Sequence, residues 1–223
     1  LIVGGVGVVV HELGHGIFAL IFGHKITHIN LLNFRYKASD TLGSVEREWN
    51  TDSVYQQVGN FFIGIAPYYM CSITLFVIQS VLLKNPLHSV DLSINAIQND
   101  FFSTVKNIMS NDWAMIFHSN PFWVIICIIL AIMIGSTGYD LSSSDKLNTL
   151  HGLLPYAVVL MIIGIILELI GFAVQLTPMV WYCLLLSIVF MLKGIIYILI
   201  SIIFTGIFFS INTAYTYAQE KKA

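Results

Sequence analysis

The chain has 223 residues, of which 57% are hydrophobic and only 10% charged, and its mean hydropathy is +0.83. A soluble domain covers its surface with about a quarter charged residues, so this composition excludes an ordinary water-soluble globule and implies lipid as the solvent. The net charge of -2 comes without a basic run or aromatic-basic interleaving, which excludes nucleic acid as a partner.

A bilayer crossing needs about 20 mostly apolar residues. The expected architecture is an all-α polytopic membrane protein, with about five transmembrane helices over 1–23, 59–83, 122–138, 153–175 and 179–211 and a polar tail over 212–223. All five belong to one domain. The first begins at Leu1 with neither a charged leader nor a small-residue cleavage site, so it does not read as a signal peptide. The polar stretch 24–58 follows. Thr27 to Tyr36 has strand-like character, with Ile29, Leu31 and Phe34 among polar residues, and Gly43 offers a turn. A small β-hairpin or sheet at the membrane edge is expected there. After the second span, 85–120 is mixed and carries Phe101, Phe102 and Trp113, which suits an amphipathic helix along the interface. The third span is short. The fifth is longer than one straight crossing requires, which leaves open a tilt, an extension or a break near Lys193-Gly194. The three cysteines, Cys71, Cys127 and Cys183, sit singly in apolar runs without CxxC spacing and read as small buried hydrophobes.

If all five segments cross, loops 24–58 and 139–152 and the tail share one side. That side carries seven lysines and arginines against two opposite, and should be cytoplasmic.

The chemistry concentrates in Val10-His11-Glu12-Leu13-Gly14-His15-Gly16. Positions four apart share a helix face, so both imidazoles of an HExxH helix can reach one metal. Glu12 can then accept a proton from water activated by zinc. The surrounding residues are Val, Ile, Leu, Phe and Gly. A charge in a bilayer costs roughly 2.5–3.5 kcal/mol on insertion scales, so these ionisable groups need compensation. A divalent cation in a hydrated cavity supplies it. The competing explanation is a structural metal, or an interfacial helix end whose polar groups meet water.

An HELGH motif in an apolar helix resembles the site-2 protease superfamily of intramembrane metalloproteases. The following GIFALIFGHKITHINLLNF resembles that family's strand-forming stretch, and Gly59-Asn60-Phe61-Phe62-Ile63-Gly64-Ile65-Ala66-Pro67 its glycine-rich next helix. More narrowly, the chain resembles bacterial site-2-like zinc proteases with an LSxxD element, over roughly residues 1–170. The resemblance implies a zinc endopeptidase in a bacterial or archaeal cell membrane, acting on membrane proteins or peptides.

A catalytic zinc takes three protein ligands and one water. The family supplies a distant Asp in an NPDG or LDG context, and this chain has neither. It has Gly138-Tyr139-Asp140-Leu141-Ser142-Ser143-Ser144-Asp145, on the same side as the end of the first span. Matching LSSSD to LSxxD favours Asp145 as third ligand, with Asp140 second. Ser142-x-x-Asp145 is also a capping box, so Asp145 could merely start a helix. Asn60 is a candidate for substrate or oxyanion contact, against a helix-cap role. His24 and His28 are a possible auxiliary pair. His88, His118 and His151 are isolated. Glu168 and Lys193 fall within apolar spans and could pair across helices. The alternative to an enzyme is a metal-bound membrane scaffold or carrier. It would need no general base and would close its metal with a fourth protein ligand.

Overall fold

The computed structural model describes residues 4–33, 41–83 and 90–220. The elements run α1 (Gly5–Ile21), β1 (Lys25–Asn30), β2 (Ser44–Glu48), α2 (Val54–Leu83), α3 (Ile94–Asn99), α4 (Phe101–His118), α5 (Pro121–Gly135), α6 (Ser143–Leu169) and α7 (Ala173–Glu220). The helix starts are set locally. Asp100 accepts from Ser103 N at α4, and Asn120 accepts from Phe122 N with Pro121 opening α5. Ser142 and Asp145 form the reciprocal capping box of α6. α6 stops where Gly171 adopts φ 68°, which lets Phe172 N reach Leu167 O at 2.9 Å.

Among the described residues three helices, α2, α6 and α7, are long and apolar enough to cross a membrane, and they mark this as a membrane protein. α1 and α5, expected as two further spans, are apolar but only 17 and 15 residues long. They rise about 25 and 22 Å, against about 30 Å of hydrocarbon. α7 is unbroken at Lys193-Gly194 and continues through 212–220, where a polar tail was expected. Within the mixed stretch 85–120, the described residues form the helix pair α3–α4, with Thr104, Val105, Ile108 and Asp112 of α4 buried; 85–89 lie outside the described residues.

β1 and β2 pair antiparallel, Lys25 opposite Glu48 and Asn30 opposite Ser44, with an irregularity between Ile26 and His28. The sheet therefore follows the first helix, as expected. Tyr36 and its neighbours 34–40 lie outside the described residues.

α2 is the central helix. α1, α5, α6 and α7 all pack on it. Glycines set the closest approaches. A Cβ at Gly152 would run into the backbone of Phe61, and one at Gly64 would meet Thr149 Oγ1 and lie 2.7 Å from Asp145 O. α6 thus lies directly on the first half of α2, as small residues allow between membrane helices. Gly7 does the same for α1, where a Cβ would come within 2.9 Å of Gly138 N and Ile134 O. One apolar core, with Val10, Cys71, Leu75, Ile134 and Tyr139, lies beneath these contacts. Gly152 is the only buried residue of α6 among those described, and Leu153, Leu154, Met161 and Ile165 are exposed.

Candidate metal centre

His11, Glu12 and His15 are buried on α1, at 8%, 8% and 7% exposure. His11 Nδ1 lies 3.0 Å from Gly138 O, and His15 Nδ1 lies 2.8 Å from Ile63 O. A carbonyl only accepts, so each Nδ1 carries the proton and donates. Each neutral ring then presents an unprotonated Nε2. These two atoms face each other at 3.0 Å. Two lone pairs at that separation repel unless a cation or proton lies between them.

Asp145 arrives from the far end of the chain. Its Oδ1 is 3.3 Å from His15 Nε2 and its Oδ2 is 3.8 Å from His11 Nε2, with the side chain 13% exposed. Two ligand atoms held about 2.0–2.1 Å from one zinc at a tetrahedral angle lie about 3.3 Å apart. Separations of 3.0, 3.3 and 3.8 Å fit that polyhedron. His11, His15 and Asp145 could hold a metal ion. The donor set suits zinc: two imidazoles and one carboxylate, with a position left for water.

Pro67 lies inside α2 and has no N–H, so it cannot donate to the carbonyl four residues back. That carbonyl belongs to Ile63, the one that receives His15 Nδ1–H. Gly138 O, which receives His11, also accepts from the buried Cys71 thiol at 3.3 Å. Asp145 Oδ2 accepts from Ser142 N at 3.0 Å and from Ser142 Oγ at 2.6 Å. The capping box therefore orients the same carboxylate that faces the histidines. The capping role weighed for Asp145 is present, and the same geometry sets its carboxylate beside both imidazoles.

Asp140 goes elsewhere. It is exposed and lines a groove with Ser201 and Thr205 of α7. Asn60 is 1% exposed and does not line the cavity that holds His11, His15 and Asp145; its Oδ1 accepts from Arg47 Nη1 at 2.7 Å. His24 is also buried; its Nδ1 accepts from Arg47 Nη1 at 2.6 Å and its Nε2 donates to Gln56 O at 3.0 Å. Burial, together with the adjacent guanidinium, holds His24 below the ordinary imidazole range. His28, His118 and His151 are exposed, and His88 lies outside the described residues. Glu168 is exposed near the end of α6 and does not meet Lys193, whose partner is Asp112.

The cavity in front of the His11, His15 and Asp145 side chains measures about 340 Å³. Glu12, Arg47, Trp49 and Asn148 line it beside His11, His15 and Asp145, and Gly43, Ser44 and Val45 wall one flank. Arg47 is the residue that motif reasoning passed over, since a lone loop arginine registers only in a charge count. A usable signal was present. In Val45-Glu46-Arg47-Glu48-Trp49 a period of two places Val45, Arg47 and Trp49 on one face, and these three line the cavity while both glutamates are exposed. Burial lowers the Arg47 pKa, and attraction to Asp145 opposes that. With this geometry in hand, the chain was compared with known proteins: no family model, no curated protein and no solved structure matches it.

Proposed function

We propose that this chain is a zinc metalloendopeptidase of site-2 protease type, hydrolysing peptide bonds of membrane-embedded or membrane-proximal substrates. What carries this is one observation: two unprotonated Nε2 atoms 3.0 Å apart face a carboxylate from 130 residues later, in a cavity that also contains Glu12. A structural site would be closed by a fourth protein ligand, and the metal-ligating group found among the described residues has three members.

Zinc bound by His11, His15 and Asp145 would supply Lewis-acid chemistry, lowering the pKa of a water toward neutrality and polarising the scissile carbonyl. Glu12 accepts the proton of the attacking water at its carboxylate and delivers it to the departing amide nitrogen. Gly138 O and Ile63 O hold the imidazoles in the Nδ1–H tautomer throughout. Ser142 fixes the rotation of Asp145. A substrate helix hides its carbonyls, so it must unwind locally before it can enter. The β2 flank at Gly43–Val45 offers backbone groups to an extended strand. α1 and α5 serve as the remaining two spans, with the sheet and the start of α6 on the cytoplasmic side.

The test is Glu12→Gln in the purified full chain. Zinc content is measured by mass spectrometry, and cleavage is read on a pooled library of synthetic transmembrane peptides. The expected result is unchanged zinc with cleavage lowered about 10²–10⁴-fold. Full cleavage by that variant rejects the protease. Zinc retained by a wild-type protein that cuts nothing favours the scaffold or carrier.

A further inference from the structure

A second buried polar cluster lies where α2, α4, α5 and α7 meet, and it shares no lining residue with the metal cavity. Lys193 Nζ pairs with Asp112 Oδ2 at 2.5 Å, the two side chains being 3% and 9% exposed. The ammonium also donates to Gln79 Oε1 at 3.5 Å and stands 4.8 Å from the centre of the Phe76 ring. Gln79 Oε1 further accepts from the Tyr197 hydroxyl at 3.1 Å. All three N–H directions of Lys193 thus have a partner: a carboxylate, an amide and an aromatic face. The carboxylate is less complete, because Asp112 Oδ1 is buried with no hydrogen-bond partner. The cluster is neutral overall and is left with one open acceptor.

A cavity of about 330 Å³ adjoins it, within the roughly 300–1,000 Å³ of small-molecule sites. Gln79, Asp112, Lys193 and Tyr197 are its polar residues, and the rest of its wall is apolar or aromatic, with Leu83, Trp113 and Ile128 as examples. We propose that this cavity binds a neutral amphiphile with a hydroxyl head, such as a long-chain alcohol or a monoacylglycerol. The chain lies along the apolar wall. The head O–H donates to Asp112 once the carboxylate turns about χ2, a broad two-fold torsion. The charge balance selects the head. An anionic head would set a second negative charge beside Asp112 with Lys193 already engaged. An ammonium head would compete with Lys193 and leave one cation unpaired in an apolar cavity. A neutral donor completes the cluster without adding charge.

The experiment follows thermal unfolding of the full chain in an amine-oxide detergent, which has no hydroxyl of its own. Three chain-matched probes are titrated: monolauroylglycerol, laurate and laurylamine. Monolauroylglycerol is expected to raise Tm saturably by about 5 °C or more, and the charged probes to give no saturable rise. Val124 lines the cavity without touching the polar cluster. Val124→Phe and Val124→Trp fill the space stepwise and should weaken the shift in that order, with retained zinc reporting an intact fold. Equal shifts from all three probes, a shift that survives Val124→Trp, or no shift from monolauroylglycerol would each overturn the proposal.

Discussion

Around Lys193 the polar groups close on each other, whereas around His11 they are left facing one another. In the first cluster an ammonium meets a carboxylate at 2.5 Å, an amide and a ring. In the second, two imidazole lone pairs and a carboxylate converge with no cationic side chain among the three. Both are buried in an apolar chain, where an uncompensated charge is costly. The lysine cluster is compensated by residues the chain supplies. The histidine cluster is not closed by an ion pair of its own among the described residues, and its outer partners keep both Nε2 atoms open. Gly138 O and Ile63 O accept hydrogen bonds from both Nδ1–H groups, which leaves the Nε2 atoms bare. A buried polar cluster is therefore best judged by the valences left over after its internal bonds are counted.

Breaking this contrast should produce the largest effects first. Asp145→Ala removes the proposed third ligand and should abolish measurable zinc binding, beyond the roughly 10–100-fold that outer partners cost; equilibrium dialysis checks it, and wild-type affinity in that variant would mean the histidines hold metal without it. At the closed cluster, Lys193→Met strands a buried carboxylate and should cost about 3–5 kcal/mol. Adding Asp112→Leu should recover most of that loss in denaturant titrations, with zinc content unchanged throughout. Pro67→Ala sharpens the contrast most directly. It restores an N–H that competes for Ile63 O, so zinc affinity should fall about 10-fold, while thermal stability of the metal-free chain is held or improved. The smallest effect concerns His24. Its folded pKa is held below the ordinary value. As pH falls through about 6.5 the unfolded chain takes up the proton first. Stability of the metal-free protein should therefore decline below that pH, by at most about 1.4 kcal/mol per unit, and His24→Gln should remove that part of the slope.

The HExxH turn was legible because its information is local. His11, Glu12 and His15 need only a helical period and an apolar setting. The sheet after α1 was legible for the same reason, from alternation and a turn. Asp145 was reachable through loop side and the LSSSD string, yet Asp140 fitted the same loop. Spacing could not separate them, because the choice depends on where α6 starts and how closely Gly64 lets it approach α2.

What the sequence determined alone was what short-range periodicity and composition carry: a membrane protein, mostly helical, with two imidazoles on one face of a single turn. The tertiary structure decided the pairings. Lys193 took Asp112 from the mixed stretch before α5 in place of Glu168, and Asn60 took Arg47 in place of the cavity. The physical reason is that a buried polar group takes whichever partner the packing brings within about 3 Å. Helices of any sequence separation can supply that partner.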